Sequence, residues 1–439
     1  MKRTFTPRKS KRILIVSDDP ASASLYRERL ESERYCVEIA SDGRRALRII
    51  EIDPVDLVLI DISKTAIHGL VTIRSIRALP STRAVHVIAL SNHFFGRQLE
   101  AVEEGGADRC VTKTDCTPGQ LVRIVRAAFE RATVPGPQLA AIPTETNVPS
   151  GDVVEVDFQE RVRRAFYHEA PGAIARLRAA HRTYARSQTE DQRLAELSEM
   201  HRQAGLLANA AGLAGFRRIS QLASALGAFL VLKQEESLIM TPSNFRMIAG
   251  TVDVLAALFQ KAFANEPEAT ELPAILVVEG RTAPANTISE ALGRVGLSVT
   301  KLAETESPMD RCATDPFDLI LIDLETPDLD GLSLCASIRK APVNRFAPVI
   351  FATDHADLPS RARASLSGGS DLIAKPFSAA ELVVEVLTWL SRGNITAGLF
   401  QKGVPLPAST PQQSPWASPA INKDNSSLGN FSPPLKHAC

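Results

Sequence analysis

Aromatic residues make up only 5% of this 439-residue chain, and cysteines number six. The cysteines (36, 110, 116, 312, 335, 439) are scattered, with one lone pair six apart and no metal-like spacing. A disulfide scaffold is therefore excluded, and a reducing cytoplasm is the expected location. Net charge is absent too. Fifty Lys and Arg balance fifty Asp and Glu, which removes any bulk electrostatic case for binding nucleic acid or another polyanion. No stretch is apolar enough to cross a bilayer: the uncharged runs Gln203–Phe216 and Ile219–Leu232 stop at 14 residues each, short of the roughly 18 required. The first twelve residues carry six basic side chains and no apolar core, so neither a secretory signal nor a membrane partner is expected. No G-x-G-x-x-G and no Walker Gly-Lys-Ser/Thr occurs, which argues against a nucleotide-binding enzyme.

What is present is a globular composition, 44% apolar and 23% charged, in a chain long enough for two to four domains. Composition divides it. A basic tail covers 1–10, a proline-rich linker 132–151, and a Pro/Ser/Asn/Gln-rich tail, expected to be disordered, 393–439. Residues 11–131 alternate strand-like runs (RILIV, CVEIA, DLVLI, VHVIAL, RCVT) with amphipathic stretches. Residues 272–392 do the same (AILVV, LSVTKL, FDLILI, PVIFA, DLIA). Such alternation predicts two doubly wound α/β units, each a parallel five-stranded sheet covered by helices on both faces. The middle block, 152–266, has no strand pattern. Helical periodicity in Phe158–Arg164, Ala173–Arg182, Leu194–Leu207, Ile219–Lys233 and Phe245–Phe263 predicts an all-α bundle of four to five helices.

The two α/β blocks match at a constant offset of 262. DLVLIDISKTAIHGL (56–70) aligns with DLILIDLETPDLDGL (318–332), Ser91 with Thr353, and Lys113 with Lys375, without insertion or deletion. This is an internal duplication. In each copy an Asp (Asp61, Asp323) ends a buried strand, a hydroxyl ends the next, and a Lys ends the last. Ligands of doubly wound sheets sit at the carboxyl ends of the strands. Carboxylates there, with Asp18 and Asp19 after the first strand, can hold Mg²⁺ on oxygen, while hydroxyl and ammonium neutralise a phosphoryl group.

Both blocks resemble response-regulator receiver domains. The resemblance implies that Asp61, and with less support Asp323, is a phosphoacceptor, assisted by Ser91 and Lys113 or by Thr353 and Lys375. It implies Mg²⁺ held by Asp18, Asp19, Asp61 and Ser63 in the first copy, and by Glu279 and Asp323 in the second. The D-x-x-x-P-x-x-D-G loop is intact as Asp323, Pro327, Asp330 and Gly331. In the first copy it is degraded, with Thr65 and His68 before Gly69. The acidic pair departs in both, reading Ser17-Asp18 and Glu279-Gly280, and the aromatic switch position is Cys110 or Leu372.

The middle block resembles a histidine phosphotransfer domain. His201-Arg202-Gln203-Ala204-Gly205 fits the family's H-x-x-(K/A)-G, which makes His201 the candidate phosphotransfer histidine. An alternative register puts Gly205 at the histidine position and Asn209 at the motif glycine, leaving His201 one turn upstream on the same face. The whole implies a two-component phosphorelay protein. It would be no enzyme beyond Mg²⁺-dependent self-phosphorylation from a donor. A histidine kinase or phosphotransfer protein would be one partner, and a downstream protein would receive the output. The competing expectation is an interaction scaffold of degenerate receivers that is never phosphorylated.

Overall fold

The computed structural model describes residues 10–62, 66–78, 82–83, 85–91, 102–131, 153–235, 240–264, 273–279, 288–293, 297–302, 307–327 and 329–401. The first α/β unit runs β1 (Arg12–Val16), α1 (Pro20–Ser32), β2 (Cys36–Ala40), α2 (Gly43–Ile52), β3 (Leu57–Asp61), α3 (Ala66–Ala78), β4 (His86–Ser91), β5 (Arg109–Thr112) and α4 (Pro118–Arg131). A 3₁₀ turn, Lys113–Asp115, follows β5 directly. Its sheet is parallel in the order β2-β1-β3-β4-β5. The central strands are apolar throughout because helices cover both faces: Leu14, Val58 and Ile60 face one layer, and Ile13, Leu57 and Leu59 face the other.

Four helices occupy the middle block among the described residues: α5 (Val153–Arg186), α6 (Glu190–Ala214), α7 (Arg217–Glu235) and α8 (Pro242–Phe263). The two patterns expected around Pro171 merge into the single helix α5. Proline forfeits only one intrahelical hydrogen bond, and the apolar face continues on either side of it, with Phe166, Ala170, Ile174 and Leu177 all buried.

The second unit runs β6 (Ala274–Val278), α9 (Ile288–Gly293), β7 (Ser298–Lys301), α10 (Pro308–Thr314), β8 (Leu319–Asp323), α11 (Gly331–Ile338), β9 (Val349–Thr353), α12 (Leu358–Leu366), β10 (Asp371–Ala374) and α13 (Ala379–Gln401). Its parallel sheet, β7-β6-β8-β9-β10, repeats the first. The last helix corrects one boundary. α13 continues to Gln401, into the stretch expected to be a disordered tail from 393. The rest of that tail, most of the basic tail and the whole linker lie outside the described residues.

The duplication extends to hydrogen bonds that no strand pattern announces. Arg77 donates to the carbonyls of Gly106 and Val85, both at 2.7 Å. Arg339 donates to Gly368 and Ala347, both at 2.8 Å. Gly106 and Gly368 have φ of +102° and +92°, a region a side chain disfavours. A Cβ at either would also lie within 2.8 Å of the arginine stem.

The bundle core does not close on itself. Thr251 of α8 and Thr388 of α13 share a buried hydrogen bond of 3.0 Å, Asn244 donates to Glu381 at 2.8 Å, and Arg361 of α12 donates to Ser243 at 3.0 Å. Glu385, one turn from Glu381 and Thr388, is buried. Its carboxyl is held well above the usual range by burial and by the charges of Asp371 and Glu381, against the opposing pull of Arg392 and Arg361. A raised native pKa costs nothing below the unfolded value near 4.3. As pH rises past that value, the unfolded chain ionises while the native group does not, and stability is lost. Glu385→Gln is therefore expected to raise Tm at pH 7 by ~2 °C or more, with the gain vanishing at pH 4. Thermal unfolding of the full-length variant at both pH values checks this. A lower Tm at pH 7 would mean that Glu385 is held there as a charge.

Candidate functional site: two carboxylate pockets and a helix histidine

The first pocket is built by strand register. β1 and β3 are aligned with Val16 beside Ile60, which sets Ser17 beside Asp61 and leaves Asp18 one residue further out. β4 pairs Leu90 with Asp61 and β5 pairs Thr112 with Ser91. Asp61, Ser91 and Lys113 therefore converge on the carboxyl edge. The Lys113 ammonium donates to Asp61 Oδ2 at 2.5 Å, and the Ser17 hydroxyl donates to the same oxygen at 2.9 Å. The pair is deeply placed, with the side chains of Lys113 and Asp61 4% and 6% exposed. Buried Tyr26 lies close by, its phenol pushed well up by burial and then by the charges of Cys116, Asp61 and Asp19.

Of the expected metal ligands, Asp18 is exposed at this edge. Asp19 serves α1 as its N-cap, accepting from the backbone of Ala21 and Ser22 and from the Ser22 hydroxyl at 2.5 Å. Ser63 lies outside the described residues. Among the described residues no cluster of three His, Cys, Asp or Glu is arranged to hold a metal. Mg²⁺ asks for less, one or two carboxylates with water completing its octahedron, and Asp61 with Asp18 is a donor set of that kind.

The second pocket has the same frame and a different content. Asp323 pairs with Ala352, and Ala374 pairs with Thr353. Lys375 donates to Asp323 Oδ1 at 2.6 Å. Glu279 is aligned beside Asp323 and accepts from Ser289 at 3.2 Å; Gly280 and Arg281 lie outside the described residues. Glu325, which sequence reasoning passed over, turns into the pocket. Thr353 Oγ1 donates to Glu325 Oε1 at 2.6 Å, the Asp354 backbone N–H donates to the same oxygen at 3.0 Å, and Lys375 donates to Oε2 at 3.3 Å. Burial pushes the Glu325 carboxyl up, but these donors, Thr353 foremost, bring it below the usual range. Burial pulls the Lys375 ammonium down, and Asp323 and Glu325 reverse this to leave it raised. The signal was available in the repeat: the residue matching Glu325 at offset 262 is Ser63, too short and uncharged.

In the bundle, His201 lies on α6, half-buried, and burial holds its imidazole below the ordinary value. A Cβ on Gly205, one turn on, would meet nothing within 4 Å, so the glycine is not required by packing within the chain. In the alternative register, Asn209 is half-buried and its Oδ1 has no hydrogen-bond partner. Further along the same face, Gly212 packs against the first unit: a Cβ there would lie 2.6 Å from the Lys113 carbonyl oxygen. Cys110 is partly buried and Leu372 buried.

Comparison with known proteins agrees with this geometry. The model of the response regulator receiver domain matches residues 13–126 and 275–387, together more than half of the chain, with the middle helices between the matched spans. The chain is 31% identical over 121 residues to the uncharacterized transcriptional regulatory protein YrkP of Bacillus subtilis, covering 28% of this chain and 51% of the relative. It is 41% identical over 68 residues to the signal transduction histidine-protein kinase BarA of Shigella flexneri, covering 16% of this chain and 7% of that protein. The chain thus spans about half of the length of the first of these curated relatives and far less of the second. Among solved structures, the receiver domain of a Pseudomonas aeruginosa sensor histidine kinase, with a magnesium ion coordinated in its active-site cleft, is 31% identical. The match covers 27% of this chain and 98% of that one, with a TM-score of 0.25. No helix among the described residues is long and apolar enough to cross a membrane.

Proposed function

The chain belongs to the response regulator receiver domain family through both of its α/β units, and from that premise we propose that it is a phosphorelay protein in which Asp61 accepts a phosphoryl group. The observation that carries this reading is the buried Asp61–Lys113 pair at the carboxyl edge of the first sheet, with Ser17 and Ser91 beside it. An Asp61 carboxylate oxygen attacks the donor phosphorus. The new O–P bond forms as the donor's P–O bond to acetate, or its P–N bond to an imidazole, breaks, and the departing imidazole nitrogen takes up a proton. Lys113 balances charge on the acyl phosphate, and the Ser91 hydroxyl serves a phosphoryl oxygen. Asp61 and Asp18 are the residues to hold Mg²⁺, which supplies neutralisation of the phosphoryl oxygens when bound.

His201 is the candidate carrier of the middle unit. Its depressed pKa favours the neutral imidazole, the form that can act as a nucleophile, and Gly205 leaves its flank of α6 clear. The donor is a histidine kinase or phosphotransfer protein, and the output is contact with a downstream protein. The test is mass spectrometry of the full chain after incubation with acetyl phosphate, and separately with a phosphohistidine donor, with and without Mg²⁺. Label on Asp61 only when Mg²⁺ is present is the expected result. A chain unlabelled on Asp61, Asp323 and His201 with both donors would establish the scaffold reading instead.

A further inference from the structure

The second pocket contains three donors aimed at one place. They are a buried threonine hydroxyl, a backbone N–H from the next residue, and a lysine ammonium, all beside the carboxylate of Asp323. A phosphoryl group on Asp323 would need this set, because each of its oxygens carries lone pairs and negative charge to be met by hydroxyl, amide and ammonium. Glu325 meets it already. One of its carboxylate oxygens takes both the Thr353 hydroxyl at 2.6 Å and the Asp354 N–H at 3.0 Å, while the other faces Lys375 at 3.3 Å. Glu325 is itself an exposed residue, and an exposed Glu beside a Lys by itself means little; what distinguishes it is that its carboxylate also takes the hydroxyl and the amide of an adjacent strand end.

The local backbone holds it there. Glu325 N donates to Asp323 Oδ1 at 3.1 Å, and Thr326 N donates to the Asp323 carbonyl at 3.3 Å. This tight turn folds the side chain of Glu325 back over the strand end. In the first unit the matching residue is Ser63, which has no carboxylate to offer, and there Lys113 and Ser17 both serve Asp61.

We propose that Glu325 is the built-in anionic ligand of the second receiver pocket, occupying the place of a phosphoryl group. The second unit thereby holds its phosphoryl-binding donors engaged without phosphorylation, and Asp323 does not take up a phosphoryl group while Glu325 is present. Thr353 ends β9 and Lys375 follows β10, next to the helices α12 and α13 that meet α8. The inference rests on the receiver reading of the second unit, and it makes the two units unequal: one takes a phosphoryl group, the other carries its own substitute.

The test uses the full chain and Glu325→Ala, each with Asp61 intact and as Asp61→Asn. Hydrogen–deuterium exchange is read at the Asp354 amide, and label on each residue after acetyl phosphate and Mg²⁺ is read by mass spectrometry. Removing Glu325 should speed exchange at Asp354 by about tenfold, as one hydrogen bond of ordinary strength is lost, with no change at the strands of the first unit. It should also raise label on Asp323 at least about tenfold in the Asp61→Asn background, as a tenfold gain corresponds to only 1.4 kcal/mol. Equal labelling of Asp323 with and without Glu325 overturns the proposal, whatever the exchange shows. So does unchanged exchange at Asp354. Label on Asp323 in any chain that retains Glu325 also overturns it, whereas label on Asp323 confined to Glu325→Ala, with Asp61 unlabelled throughout, would overturn the proposed function and leave this inference standing.

Discussion

Replacing Asp61 by Asn is expected to remove Mg²⁺-dependent phosphoryl uptake by the whole chain, lowering incorporation from acetyl phosphate by more than about a hundredfold. The amide keeps the shape of the carboxylate, so the strand end and its register are retained. What is lost is charge. A neutral amide oxygen is a poor nucleophile toward phosphorus and a poor ligand for a hard cation. With Glu325 filling the second pocket, Asp323 provides no reserve, and the loss should show in the full-length protein rather than only in an isolated unit. Asp323→Asn, by the same logic, should leave total incorporation within about twofold of the parent chain, a difference of only ~0.4 kcal/mol. Quantitative phosphoprotein labelling of the two variants decides the matter: equal losses would mean that both aspartates carry the activity.

The fold was largely legible because it is written twice. A constant offset of 262 pairs Asp61 with Asp323, Ser91 with Thr353 and Lys113 with Lys375, and the two sheets follow one strand order. Apolar runs bounded by polar strand ends are sufficient to announce buried parallel strands. Two kinds of feature were not legible. The first is a contact whose partner lies far along the chain. Ser17 reads in sequence as a missing acid, yet in the structure it is a donor to Asp61. Arg77 and Arg339 carried no signal in sequence, yet each donates to three loop carbonyls. The second is the sharing of a core. Periodicity shows that a helix face is apolar but not what covers it. The sequence suggested that the middle helices bury their faces only against one another, whereas α8 shares buried partners with α13 and α6 lies against the Lys113 turn. At the site itself, motif positions named Asp61, Lys113, Asp323 and Lys375, which the strand ends bring into contact, and passed over Glu325, whose placement depends on a backbone turn that directs the side chain back over Asp323.

The largest stability effect in the first unit should come from Lys113. Its ammonium is 4% exposed and sits 2.5 Å from an Asp61 carboxylate that is itself 6% exposed. Lys113→Met keeps the apolar stem and deletes the charge, leaving a buried carboxylate that still accepts from the Ser17 hydroxyl but has lost its ammonium partner. Removing one member of such a pair costs about 3–5 kcal/mol, because the other charge stays buried without compensation. The second substitution separates charge from packing. Asp61→Asn added to Lys113→Met removes the stranded charge and should recover about 2 kcal/mol or more, so the double variant is more stable than Lys113→Met alone. Hydrogen exchange at the β3 and β4 amides reports the local stability of this unit without involving the bundle. In Lys113→Met at pH 7 those amides should exchange on the order of a hundredfold faster than in the parent, from a ~3 kcal/mol loss. The effect should reverse in large part in the double variant. A double variant no more stable than Lys113→Met would show that the lysine acts through its packed stem rather than through the charge it presents to Asp61.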